Sequence, residues 1–145
     1  MVRRILRNWA RDANNPILID PARSRNWSDY GQVSLIKANW SEASEAASCE
    51  NPRPLALARE LADSHGCDVV ITLGRCGMVC AERTGATWHL PATPTVVRDV
   101  CGAGDTVFAA LAVAMITGKS QRAACRAAME AAGNQVASLG IASVA

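Results

Sequence analysis

The chain has 145 residues, of which 50% are hydrophobic and 19% charged, enough apolar material for one ordinary domain with a buried core and too much for a disordered segment. Its formal charge is only +2 and its basic residues are scattered, mostly as single arginines, so neither a nucleic acid nor a membrane is an expected partner. Six cysteines form no CxxC pair and have only His65 and His89 to assist them, which points to reduced cysteines packing as small apolar residues rather than to a metal cluster.

The N-terminal "MVRRILRNWARDANNP" carries positive charge but no uninterrupted apolar stretch and no small-residue cleavage site, so it is a poor signal peptide and a cytoplasmic protein is expected. Val2, Ile5, Leu6 and Trp9 fall at helical spacing and predict an amphipathic helix that stops before Pro16. "PILID" (Pro16 to Asp20) reads as a short strand buried on both faces and ended by an Asp-Pro turn. "SLIKAN" (Ser34 to Asn39) repeats the pattern. Ser41 can cap a helix through "SEASEAAS", and Pro52 or Pro54 can start another through "LALARELADSHG", with Gly66 as its stop and His65 as a favourable cation at its end.

The β-branched run "CDVVITLG" (Cys67 to Gly74) predicts a central strand, and "GMVCAE" and "TWHL" are short enough for a hairpin or edge strands. Two long helices follow, roughly Ala103 to Thr117 and Ser120 to Ser138, stopped by Gly118 and Gly140. The apolar run within the first of them, "VFAALAVAMI", is half the roughly 20 residues that span a bilayer and reads as a buried helix. Strands alternating with helices predict an α/β fold, a mostly parallel sheet flanked by helices in a single domain over 1–145. An opening helix that needs a sheet to cover suggests missing N-terminal material. Trp9, Trp27, Trp40 and Trp88 lack a basic stripe and are expected in the core or an interface.

Three short segments carry candidate chemistry. In "CGAGD", Gly102, Ala103 and Gly104 have little or no side chain, so a ligand can approach their N–H groups at a helix end that concentrates positive charge. Asp105 is out of place beside a phosphate. Either it merely caps the helix, or it accepts a proton from a hydroxyl that attacks the phosphate while the N–H groups stabilise the transferring group. "NWSE" (Asn39 to Glu42) lies just past a strand end, where α/β sheets place ligands, but taken alone it reads as an N-cap, Ser41 or Asn39, with Glu42 in the first turn. "TLGRCG" (Thr72 to Gly77) follows a strand and is either part of a site or a hairpin turn. All three lie at or near strand ends, on what can be one edge of the sheet.

"RDVCGAGDTVFAAL" closely resembles the C-terminal signature of the ribokinase-like (PfkB) sugar kinases, and the order "DPARSRNW", "NWSE", "VVITLGRCG", "GAGD", "SLGIASV" resembles theirs over nearly the whole chain. Within the family, "ILIDPARSRNWSDY" and "SLGIASVA" most resemble the heptose-phosphate kinase part of the ADP-heptose synthesis protein. The resemblance implies the C-terminal half of a three-layer ribokinase-like fold, without the N-terminal half that supplies the substrate-binding residues and lid. It implies Asp105 as catalytic base and Gly102, Ala103 and Gly104 as anion hole. Asn39 and Glu42 would act near the phosphates of ATP and Mg²⁺, Thr72, Gly74 and Gly77 would line the nucleotide, and Asp99 would help to hold K⁺. Cys101 stands where the family often has threonine, and Met129 where many members have an asparagine near the adenine, with Glu130 and Asn134 close by.

Two functions follow as expectations. One is ATP-dependent phosphoryl transfer to a hydroxyl of a sugar or sugar phosphate, completed by a partner. The other is a nucleotide-binding regulatory or scaffolding module, or an inactive remnant of a truncated kinase. The exposed sheet edge and apolar surface left by a missing half predict a homo-oligomer or pairing with a chain that carries that half.

Overall fold

Five strands form one sheet in chain order: β1 (Leu18–Ile19), β2 (Leu35–Asn39), β3 (Asp68–Thr72), β4 (Met78–Ala81) and β5 (Thr87–Leu90). The computed structural model describes residues 15–21, 26–47, 52–92 and 102–137. The predicted opening helix with Trp9, the positions of Cys49, Asp99 and Cys101, Gly140 and the closing "SLGIASV" lie outside them. β1 pairs with β2 and β2 with β3, both parallel, with Leu35 opposite Asp68 and Asn39 opposite Thr72. Between β2 and β3 run α1 (Trp40–Ala46) and α2 (Pro54–His65), the helical crossover that parallel neighbours need. The five residues between β3 and β4 are too few for such a crossover, so the sheet is mixed there.

Two compact units divide the chain, residues 1–72 with 79–89 and residues 73–78 with 90–145. The first holds nearly all of the sheet with α1 and α2. Its core is Leu35, Ile36 and Ala38 of β2, Leu57, Ala58, Leu61 and Ala62 of α2, and Val69, Val70 and Ile71 of β3. Each large aliphatic side chain so buried contributes about 1.5–3 kcal/mol. Pro54 starts α2 at its first position and Gly66, in the left-handed conformation at φ 63°, ends it, as the sequence predicts. Arg59 ties that helix to the β4–β5 turn by donating to the Glu82 carbonyl while forking onto Asp63.

The second unit holds a 3-10 turn (Gly74–Cys76), α3 (Ala103–Ile116) and α4 (Gln121–Ala137). Gly118, at φ 76°, follows α3, and Lys119 N–H donates to the Ala114 carbonyl at 3.0 Å, closing the helix end as expected.

Three expectations need correction. β1 is a two-residue strand at one edge of the described sheet and only half-buried, because it has a single neighbour, whereas a strand buried on both faces was predicted. α3 is apolar almost all round but buries only Thr106, Val107, Leu111 and Ala114, leaving Val113 57% and Ile116 74% exposed. His65 does stand in the last turn of α2, but burial lowers its pKa. At neutral pH it is therefore an uncharged aromatic partner of buried Trp27, with ring centroids 5.7 Å apart, and not a helix-end cation.

Cys67, Cys80 and Cys125 are buried as small apolar residues and Cys76 is exposed. Burial, and then the neighbouring Asp68 charge, push the Cys67 thiol up to about 11, so it stays protonated. Among the described residues no helix is long and apolar enough to cross a membrane.

Candidate functional site

In the first unit the site is built on adjacent parallel strand ends. Asn39 closes β2, Thr72 closes β3, and the two are paired in register. The carboxyl ends of parallel strands are where open α/β sheets bind ligands. Asn39 then leaves the strand as the N-cap of α1: its Oδ1 accepts from the Glu42 N–H at 2.9 Å, and Glu42 Oε2 accepts from the Asn39 N–H at 2.9 Å. This reciprocal capping box satisfies two otherwise unpaired donors, and Asn39, not Ser41, is the cap. The box fixes the Glu42 carboxylate at the strand end through its Oε2. Thr72 Oγ1 donates to the Ala38 carbonyl at 3.4 Å, which ties β3 to β2 beside it.

Lys37 and Asp20 form a pair that no motif in the sequence marks. Lys37 is only 5% exposed, and its Nζ lies 2.8 Å from Asp20 Oδ2, just beyond β1. The signal was a lysine inside the apolar strand "SLIKAN", since a buried ammonium needs a carboxylate. Lys37 shares a strand face with Asn39 by the two-residue period.

In the second unit the two glycines of "TLGRCG" differ. Gly74, at φ 57°, faces open space, with nothing within 4 Å of where a Cβ would stand. Gly77, at φ 90°, is packed against the chain after β5: a Cβ there would overlap Leu90 O and lie 2.6 Å from Ala92 N and 2.8 Å from Pro91 C. Gly77 is thus demanded by packing, while Gly74 leaves room. Leu73 N–H donates to the Gly77 carbonyl at 2.8 Å and Gly77 N–H to the Gly74 carbonyl at 3.0 Å, which closes the turn.

Gly102 is the N-cap of α3 in the left-handed conformation, φ 75° and ψ 0°, and as a glycine it supplies no side-chain cap. Its carbonyl accepts from Thr106 N–H at 2.9 Å, so Ala103, Gly104 and Asp105 are the first three helical residues, whose N–H groups have no partner within the helix. Their partial positive charge favours an anion. Asp105 is exposed in that first turn, where a carboxylate also suits the positive end of the helix. On α4, Met129 is half-buried and Glu130 and Asn134 are exposed. Asn39, Glu42 and Thr72 thus come together in the first unit, and Gly102 to Asp105 form one helix start in the second. Gly74 and Gly77 share a turn of the second unit.

The family profile described as pfkB family carbohydrate kinase matches residues 4–144. The chain belongs to the pfkB family of carbohydrate kinases. Among curated relatives it is 40% identical to the bifunctional protein HldE of Bradyrhizobium diazoefficiens over 141 residues, covering 93% of this chain and 28% of that protein. It is 44% identical to the HldE of a Caulobacter species over 137 residues, covering 90% of this chain and again 28% of the relative. Among solved structures, the ribokinase of Thermotoga maritima is 25% identical with a TM-score of 0.78, over 92% of this chain and 46% of that one. The ribokinase of Arabidopsis thaliana, complexed with ribose and ATP, shares the fold with a TM-score of 0.83 at 24% identity, over 97% of this chain and 47% of its own. The α/β fold of this pfkB chain is therefore ribokinase-like, and it spans about half the length of the ribokinases it matches.

Proposed function

We propose that this chain is the nucleotide-binding and catalytic half of a cytoplasmic kinase that transfers a phosphoryl group from ATP to a hydroxyl of a sugar or sugar phosphate. A heptose phosphate is the acceptor that the sequence resemblance favours. The observation that carries the reading is the start of α3, where an exposed carboxylate, Asp105, stands in the first turn of a helix whose N-cap is a glycine and supplies no side-chain cap.

Asp105 accepts the hydroxyl proton as the acceptor oxygen bonds to the γ-phosphorus and the bond from that phosphorus to the β-phosphate bridging oxygen breaks. The N–H groups of Ala103, Gly104 and Asp105, opened by Gly102, stabilise the negative charge on the moving group. Mg²⁺ keeps waters and binds through one or two carboxylates and substrate phosphates, so a single carboxylate at a strand end is enough to take part. When bound, Mg²⁺ supplies charge neutralisation to the phosphates. Glu42, held by its capping box with Asn39, would be the residue that helps to hold such an ion. The open face at Gly74 leaves room for a nucleotide, with Gly77 shaping the turn, and Thr72 is the residue that the family resemblance would add to the nucleotide site. Asp99 is proposed to help hold a potassium ion and lies outside the described residues. The acceptor-binding residues belong to the part of the fold that this chain does not span, so full turnover is proposed only for the chain joined or paired with that part.

The test has two stages. Millimolar MgATP should raise the melting temperature, and a chain that MgATP leaves unmoved refutes nucleotide binding. With a sugar-phosphate panel and the complementing half supplied, Asp105→Asn should abolish transfer while leaving MgATP binding nearly intact. An unchanged rate removes Asp105 as the base, and binding without transfer in the parent favours a regulatory nucleotide-binding module.

A further inference from the structure

Gln135 stands out on α4. The buried residues of that helix are otherwise small, Ala124, Cys125 and Ala128, apart from Gln121 at its start. Gln135 is 1% exposed and has the one amide among the largest fully buried side chains of the described residues. Burying an amide is costly unless the site uses its hydrogen-bonding capacity, and Gln135 is not without an interaction partner. Its Nε2 comes within 3.9 Å of where a Cβ on Gly102 would stand. It therefore lies against the left-handed turn that opens α3, in the same unit of the chain. Gly102 supplies no side-chain cap to that turn, and glycine holds its own conformation weakly. The direction of the N–H groups that follow depends on what packs behind the turn.

We propose that Gln135 is a positioning residue: its buried amide braces Gly102, so that the N–H groups of Ala103, Gly104 and Asp105 keep one orientation toward a phosphate. The phosphate part rests on the kinase reading above, whereas the brace does not. The test uses two variants of the full chain, Gln135→Met, which keeps length and removes the amide, and Gln135→Asn, which keeps the amide but withdraws it by one methylene. Without ligand, amide hydrogen exchange at residues 102–106 should speed up about tenfold in Gln135→Met relative to exchange in the middle of α4, and less in Gln135→Asn. With ligand, Gln135→Met should weaken MgATP about tenfold more than it weakens adenosine, which lacks phosphates. Unchanged exchange at residues 102–106 in a folded variant overturns the brace, whatever the chain binds. Equal weakening of MgATP and adenosine overturns its role toward phosphate. A parent that binds no MgATP counts against the kinase reading, and the exchange result then decides the brace alone.

Discussion

At Gly77 two costs coincide, a φ of 90° and backbone atoms of Leu90, Pro91 and Ala92 in the space a Cβ would take. A left-handed conformation alone costs a non-glycine residue roughly 1–2 kcal/mol, and backbone, unlike a side chain, cannot swing aside. Gly77→Ala is therefore expected to lose at least about 3 kcal/mol or fail to fold. Gly74→Ala, at φ 57° with open space around it, should lose about 1 kcal/mol. Urea denaturation of the two variants checks the contrast, and equal losses would show that the segment after β5 does not hold this turn. The sequence leaves both glycines open as part of a site or a hairpin turn, since a glycine in a string carries no record of what approaches it. That Asp105 and Asn39 stand at helix starts is legible because spacing to a helix start is itself the signal, although the sequence leaves Ser41 and Asn39 both open as the cap. The Asp20–Lys37 pair was not, because its partners are 17 residues apart and meet only once β1 and β2 align.

Among the elements, β2, β3, α2, α3 and α4 match their predicted spans to within a residue or two, each marked by a period or a stop: Pro54 and Gly66 bound α2, and Gly118 follows α3. β1 was legible as a strand but not as an edge, because periodicity reports which face is apolar and not how many neighbours a strand has. The end of α2 was misread for a related reason. A histidine in a last turn suggests a cation, but the residue that covers it, Trp27, comes from a distant 3-10 turn (Trp27–Tyr30). Because burial lowers the folded-state pKa of His65, the unfolded chain takes up the proton first as pH falls. The stabilising contribution is present above the ordinary histidine value of about 6.5 and is lost as pH drops through the folded value. Asp68 acts in the opposite sense, since burial raises its pKa. Unfolding free energy is therefore expected to decline between pH 7.5 and 5 in the parent and to decline less in His65→Asn. Parallel pH profiles for the two proteins would show that His65 is not the titrating group.

For the whole molecule, the question is what covers α3. A helix that is apolar on every side belongs inside a core, yet Val113 and Ile116, one helical turn apart, are the most exposed large hydrophobic residues described. The chain spans 46% of the Thermotoga maritima ribokinase and 28% of the Bradyrhizobium diazoefficiens HldE, so in a protein of that length further chain is available to cover such a face. On its own, the 145-residue chain should cover it by self-association, since exposed apolar patches on soluble proteins mark interaction surfaces. Light scattering is expected to give a dimer or larger species that binds a hydrophobic dye. Val113→Lys with Ile116→Lys should shift it toward monomer and reduce dye binding, because a charge on each side chain makes burial of that face costly while leaving the buried face, Val107, Leu111 and Ala114, untouched. Adding a chain that carries the other half of the ribokinase-like fold should compete with self-association if both use this face. A stable parent monomer that binds no dye would mean that α3 is already covered, and the association would then have to be abandoned. The sequence showed that α3 was apolar all round, but only its packing against α4 shows which side was left over.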